Sequence, residues 1–193
     1  MPQHQQTRLF DILRKPFWIW DHEKHKQEDI DTKGECCFNH LISCPTKNGQ
    51  EKPLFDYEKL LYDSLFDNNV NDIKRKHLWV KKSAGLGVTE FFLRLMAWLC
   101  LRNDDYKNSQ MCIVTGPNID IAIKLIKRMK RLFESKLHIT FDSKETVLEL
   151  NGVNIEAYPA NHIDSFRALD NPKFILLRKV TFLEKENRKT LDM

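Results

Sequence analysis

Leu78-Trp79-Val80-Lys81-Lys82-Ser83-Ala84-Gly85-Leu86-Gly87-Val88-Thr89-Glu90 is the stretch on which the reading of the chain turns. The apolar run His77–Lys81 predicts a strand, and the two glycines after it predict a tight turn. The run that opens Phe91-Phe92-Leu93-Arg94 predicts a helix. Strand, glycine turn and helix in that order form a phosphate-binding loop. Glycines let the main chain curl until consecutive N–H groups point inward, and the helix start adds partial positive charge. In this reading Lys82, Ser83, Ala84, Gly85, Leu86, Gly87, Val88, Thr89 and Glu90 bind the nucleotide, and the Thr89 hydroxyl meets Mg²⁺.

The stretch departs from the usual pattern G-x-x-x-x-G-K-[ST]. Aligning Gly87-Val88-Thr89 on its last three positions puts Val88 at the lysine and Lys82 at the first glycine. One cation leaves the end of the loop and another arrives at its start, from which a lysine can fold back over phosphates. The plainer alternative is a strand–turn–helix in which the glycines are ordinary punctuation.

Outward from the loop, strands and helices alternate. Phe55–Phe66 carries Leu60, Leu61, Leu65 and Phe66 at helical spacing, closed by Asn68, Asn69 and Asn71. Thr89–Leu101 is apolar nearly all round and predicts a helix buried against a sheet. Gln110–Thr115 predicts a second buried strand, ended by Gly116-Pro117. Ile119–Phe133 predicts a helix with Ile119, Ala122, Ile123, Ile126, Met129 and Phe133 inward and Lys124, Lys127, Arg128, Lys130 and Arg131 outward. Asn151-Gly152 between Thr146–Leu150 and Val153–Tyr158 predicts a hairpin. A short helix is expected at Asp164–Leu169, and Phe174-Ile175-Leu176-Leu177 is the third buried strand. The fold class expected is α/β: a P-loop-like parallel sheet covered by helices, with an inserted β-hairpin. Ligands of such sheets bind at the carboxyl ends of the strands, where the 82–90 loop falls.

Residues 1–52 read as a polar arm in which Phe17-Trp18-Ile19-Trp20 is an aromatic patch expected to dock on the main domain. Residues 53–177 form the main domain, and 178–193 a divergent polar tail. A length of 193 residues suits one domain, and 41% hydrophobic with 30% charged residues is ordinary for a globular chain. A net charge of +4 permits a polyanionic partner without requiring one. With no long apolar run, no membrane partner is expected. The N-terminus lacks a signal-peptide layout, and five cysteines at uneven spacing suit a reducing compartment, so a cytoplasmic location is expected.

With these elements in order, the chain resembles the ATPase portion of viral terminase large subunits, the DNA-packaging motors, from about Pro53 to Leu177. Lys82-Ser83-Ala84-Gly85-Leu86-Gly87-Val88-Thr89 is similar to the variant phosphate loop whose lysine stands at its start. Met111-Cys112-Ile113-Val114-Thr115-Gly116-Pro117 resembles the family's second strand and its exit, and Arg167 fits the family pattern more loosely. The resemblance implies binding of ATP and Mg²⁺, with packaging subunits and double-stranded DNA as partners. It also implies an Asp-Glu pair directly after the third strand. Arg178 and Lys179 occupy those positions. Neither can ligate Mg²⁺ as a carboxylate does or take a proton from water at neutral pH. The expectation is a truncated or degenerate copy, without the nuclease domain of full-length members, that binds nucleotide and hydrolyses it poorly. The alternative is a non-catalytic DNA-binding or subunit-contact module that uses the basic helix face and the aromatic patch.

Three further groups are weighed. Cys36, Cys37, His40 and Cys44, with His22 and His25, hold zinc-ligating chemistry, but the spacing fits no common zinc site and burial is the preferred reading. Phe55 or Tyr57 is placed either to stack on adenine or to fill the core. His162 and Asp164 near Arg167 are assigned to a loop.

Overall fold

A sheet is built first from its middle strand, and here that strand is Gln110–Thr115. The computed structural model describes residues 14–18, 37–42, 54–66, 77–102, 104–116, 118–137, 140–141, 144–160, 169 and 171–178. In chain order the elements are α1 (Phe38–Ile42), α2 (Asp56–Leu65), α3 (Val88–Arg102), a 3₁₀ turn (Asp104–Tyr106) and β1 (Gln110–Thr115). They continue with α4 (Ile119–Leu137), β2 (Val147–Leu150), β3 (Val153–Pro159) and β4 (Pro172–Arg178). The four strands form one sheet in the order β2-β3-β1-β4. β1 runs parallel to both β3 and β4, and β2 is antiparallel to β3. The class is therefore α/β with a mostly parallel open sheet, as the alternation of elements predicts.

The hairpin forms where the Asn-Gly pair places it. Asn151 and Gly152 have φ of 52° and 73°, the pair of left-handed conformations that a type I′ turn requires. It is not an insertion, however. Its second strand, β3, is itself the parallel neighbour of β1, so the hairpin closes one side of the sheet.

Register assigns the faces. Met111 and Ile113 lie level with Ile155 and Ala157 on one side and with Phe174 and Leu176 on the other. That face joins α3 and α4 in one buried cluster. Cys112 and Val114 point the opposite way, level with Glu156 and Tyr158 and with Ile175 and Leu177. β1 is buried on both faces, which is why its sequence shows no alternation. The four-residue apolar run of β4 predicts the same, and this expectation is corrected. β4 is an edge strand among the described residues, and Ile175 and Leu177 stay 45% and 51% exposed.

The strand expected at His77–Lys81 is also corrected. Residues 77–83 form no regular element and pair with none of the described strands, and Trp79 is 87% exposed. Apolar patterning reports what a strand prefers to pack against, whereas a ladder also needs a free neighbouring edge at the right distance.

α3 is buried on nearly every side, from Val88 through Leu101, as expected. α4 turns Ala122, Leu125, Ile126, Met129, Leu132 and Phe133 inward. In α2 the stripe is Glu58, Leu61, Tyr62 and Leu65, and Leu60 lies off it, facing solvent. Phe17 and Trp18 dock as expected. The Phe17 ring meets Tyr62, Phe91 and Trp98 at centroid distances of 5.6, 5.6 and 5.5 Å. Trp98 Nε1 donates to the Lys15 carbonyl at 2.9 Å, and the Phe38 N–H donates to the Pro16 carbonyl at 2.9 Å. Residues 14–18 thus fasten α1, α2 and α3 together. Among the described residues no helix is long and apolar enough to cross a membrane.

Ile19, Trp20, Asn68, Asn69, Asn71, Pro117, His162, Asp164, Arg167, Lys179 and the polar tail lie outside the described residues, as does the helix expected at Asp164–Leu169 apart from Leu169.

Candidate functional site

The loop owes its shape to its two glycines. Gly85 has φ of 85° and Gly87 of 75°, both in the left-handed region that side chains disfavour. Apart from the adjoining residues, no heavy atom lies within 4 Å of where a Cβ would stand at either position, so the space beside both glycines is open. Gly87 also caps α3, because its carbonyl accepts the Phe91 N–H at 3.1 Å. The amides of Val88, Thr89 and Glu90 are then the first in the helix, with no carbonyl of the preceding turn to pair with. A 15-residue helix follows, long enough for its terminal dipole to count.

The direction of α3 sets where this end lies. Its last turn passes through the 3₁₀ turn into the amino end of β1, and Asn151 Nδ2 of the hairpin turn donates to the Cys100 carbonyl at 2.8 Å. The C-terminal end of α3 is thereby held at the amino ends of the parallel strands. Its N-terminal turn lies beside α4, where Glu90 meets Arg128.

Each residue assigned to the loop can be located. Lys82 and Ser83 lie in no regular element and are exposed, and Ala84–Leu86 form the exposed bend. Val88 is buried beneath the helix start, whereas Thr89 and Glu90 are half-buried in its first turn. Val88, which replaces the usual lysine, points inward, so its position carries no charge into the loop. Lys82 Nζ donates to the Ser83 carbonyl at 3.2 Å, which keeps the ammonium group beside the turn it precedes.

Charges around the helix start are balanced locally. The Glu90 carboxylate lies 3.3 Å from Arg128 and 3.9 Å from Arg94. Two guanidinium groups therefore offset the one acidic side chain that would repel an anion at this end. The Glu90–Arg94 spacing of i, i+4 is legible in the sequence. Arg128, on α4, is brought in by tertiary packing alone.

An aromatic pair flanks the turn. The rings of Phe55 and Tyr57 stack at 5.4 Å with 12° between their planes, and Phe55 is exposed. The Tyr57 hydroxyl donates to the Leu86 carbonyl, tying the start of α2 to the crest of the loop. Burial, with help from the Glu58 charge, pushes the Tyr57 hydroxyl above its ordinary value, so it stays a donor at neutral pH. Glu58 is buried one residue further on and accepts the Phe55 N–H at 2.9 Å. Burial pushes its carboxyl upward, partly countered by that hydrogen bond and by the Arg94 charge.

Other groupings do not converge here. Arg178 closes β4 half-buried, where the resemblance calls for an aspartate. Of the outward cations expected on α4, Lys127 pairs with Glu145 at 2.6 Å and Arg128 with Glu90. Lys130 is corrected to a buried position, its Nζ donating to the Lys144 carbonyl at 2.6 Å. Cys37 is buried beside Phe38, and Cys36, Cys44, His22, His25 and the His40 side chain lie outside the described residues. Among the described residues no group of three or more His, Cys, Asp or Glu is arranged to hold a metal. Burial first and Glu156 second push the Cys112 thiol up to about 12, far from a reactive thiolate.

No protein-family model matches the chain, and no curated protein matches it.

Proposed function

We propose that residues 82–90 form a phosphate-binding loop and that the chain is a terminase-like, P-loop-type domain that binds ATP or ADP without hydrolysing it efficiently. The observation that carries this reading is the curled, open turn at Gly85 and Gly87 leading straight into the N-terminus of α3. Backbone amides of Gly85–Glu90 face a polyphosphate, Lys82 supplies the cation, and the dipole of α3 adds to both. Glu90 is kept from opposing the ligand by Arg94 and Arg128. Tyr57 braces the loop through Leu86, and the exposed ring of Phe55 offers a face to the base.

The metal fits only as part of the nucleotide. Thr89 contributes a single hydroxyl, Glu90 is drawn to two arginines, and the residue at the end of β4 is a cation. Mg²⁺ prefers to keep its waters and take phosphate oxygens alongside one or two protein ligands. It supplies charge neutralisation on the phosphates when bound. The chain's own part is to orient the phosphates, and no described side chain stands in place of the aspartate and glutamate that hydrolysis needs. Packaging subunits and double-stranded DNA remain the partner classes consistent with the resemblance. For the alternative of a DNA-binding or subunit-contact module, Lys124 and Arg131 stay exposed on α4, while Lys127, Arg128 and Lys130 also make contacts within the fold.

Thermal unfolding tests the reading. Mg-ATP at 100 times its Kd stabilises a protein by about 2.7 kcal/mol. The expected result is a raised Tm in wild type, lost in Lys82→Ala, with steady-state turnover near background. An unchanged Tm at millimolar Mg-ATP contradicts nucleotide binding. Turnover at motor rates contradicts the inactive-enzyme part.

A further inference from the structure

The carboxyl end of β3 carries a charge that the fold leaves unanswered. Glu156 and Tyr158 alternate with the buried Ala157, so both turn to the sheet face opposite α3 and α4. The Tyr158 hydroxyl donates to Glu156 Oε2 at 2.5 Å. Burial first, then that hydrogen bond and the Glu156 charge, hold the Tyr158 hydroxyl above its ordinary value, so it stays a donor at neutral pH. Across the ladder, Glu156 stands level with Val147 of β2 and Cys112 of β1. Among the described residues no lysine or arginine pairs with it. A half-buried carboxylate among apolar side chains gives up hydration, and a neutral hydroxyl returns less than an opposite charge would.

Space for a ligand adjoins that carboxylate. β2 begins at Val147, level with Glu156, whereas β3 runs on to Pro159. The Ala157 N–H still donates to the Thr146 carbonyl at 2.9 Å, and beyond it a cleft of about 390 Å³ opens. Ile119 at the start of α4, Val147 and Pro159 line it together with Glu156 and Tyr158. Pro159 has no N–H, so an added strand could not complete a ladder there. We propose that this cleft binds a primary alkylammonium group, the end of a free diamine or of a lysine side chain, with its charge on Glu156 and its methylenes along Val147, Ile119 and Pro159.

The chemistry of the lining selects this guest. Alkyl stems lie on apolar surface while a charged head reaches a polar partner, which is the division between the aliphatic walls and Glu156. A guanidinium gains its advantage from two parallel bonds to one carboxylate. Tyr158 already holds Oε2, so that fork meets a competitor. An ammonium is a point charge and makes its strong contact through one oxygen, Oε1. Anions are repelled by the same carboxylate, so the cleft is distinct from the phosphate loop and its occupancy does not depend on nucleotide.

Titrating the ¹⁵N-labelled full chain, free of nucleotide, with pentylamine tests this. The Val147, Glu156, Ala157 and Tyr158 amide signals are expected to move along one saturating curve while those of Gly85–Thr89 stay still. Glu156→Gln keeps the size and an acceptor for Tyr158, and should weaken binding roughly 10- to 100-fold. Pentanol has the same chain without the charge and should bind wild type as poorly, which keeps the test decisive even if the variant misfolds. Cadaverine and Nα-acetyl-lysine methylamide separate the sources. Matching shifts from the lysine derivative assign the cleft to a partner's side chain, and shifts from cadaverine without it assign the cleft to a free amine. Failure of all three amines to saturate these signals overturns the proposal. So does equal binding of pentanol, or a folded Glu156→Gln variant that binds as wild type does. Tighter binding of pentylguanidine than of pentylamine overturns the choice of ammonium.

Discussion

Replacing Gly87 by alanine separates a loop that binds from a turn that merely connects. Gly87 sits at φ of 75°, where an L-residue costs roughly 1–2 kcal/mol relative to its preferred conformations. Apart from the adjoining residues, no atom lies within 4 Å of the new methyl position, so no steric term adds to that backbone cost. The loop is exposed and contributes little to the core, so the chain relieves the strain by leaving the curled conformation rather than by unfolding. At 1.4 kcal/mol per factor of ten, the ratio of curled to uncurled loop falls roughly 5- to 30-fold, and the Kd for Mg-ATP rises by up to the same factor. Isothermal titration reads the affinity, and thermal melting reads the fold. Gly152→Ala is the control: φ is 73°, the nearest neighbour is Lys107 Cγ at 3.8 Å, and the position lies in the hairpin turn. It carries a similar backbone cost and should lower Tm without changing affinity. An unchanged affinity in Gly87→Ala, or equal losses in both variants, would refute the claim that this backbone shape holds the ligand.

Further expectations concern the packing and protonation around the loop. Phe17→Ala removes a ring that touches Phe38, Tyr62, Phe91 and Trp98, and should destabilise by about 3–5 kcal/mol, measured as a lowered urea midpoint at constant m. Glu58 holds its proton more tightly folded than unfolded, so its contribution is most favourable below the ordinary value of 4.5 and is lost as pH rises toward the raised folded value. Glu58→Gln keeps an acceptor for the Phe55 N–H. It should therefore flatten the stability profile just above pH 4.5 and equal or exceed wild type at pH 7, by urea unfolding across that range. A steeper profile in the variant would contradict the claim that burial outweighs the Phe55 hydrogen bond and the Arg94 charge at Glu58.

Much of the architecture was legible because it rests on short-range chemistry. Asn151-Gly152 can hardly be anything but a type I′ turn between apolar runs, and the all-round apolar α3 has to be enclosed. The inward face of α4 follows from its 3.6-residue period. What escaped the sequence depends on neighbours. Phe174–Leu177 has the composition of a central strand, yet lies at an edge, because composition does not say how many strands flank it. His77–Lys81 has strand propensity but no ladder. Lys130 sits among the outward cations by position, but its stem is covered and its ammonium group is bound by the Lys144 carbonyl, a contact 14 residues away. Within the loop, the glycines, Lys82 and the helix start were readable from spacing. The bracing of Leu86 by Tyr57 and the pairing of Glu90 with Arg128 were not, because α2 and α4 reach the loop only in three dimensions.

The most direct test of the phosphate loop follows the amides themselves. Pyrophosphate titrated into ¹⁵N-labelled protein should shift the Gly85, Leu86, Gly87, Val88 and Thr89 signals along one saturating curve, and Lys82→Ala should weaken that curve severely. Shifts confined to other parts of the chain, or none at millimolar pyrophosphate, would contradict it.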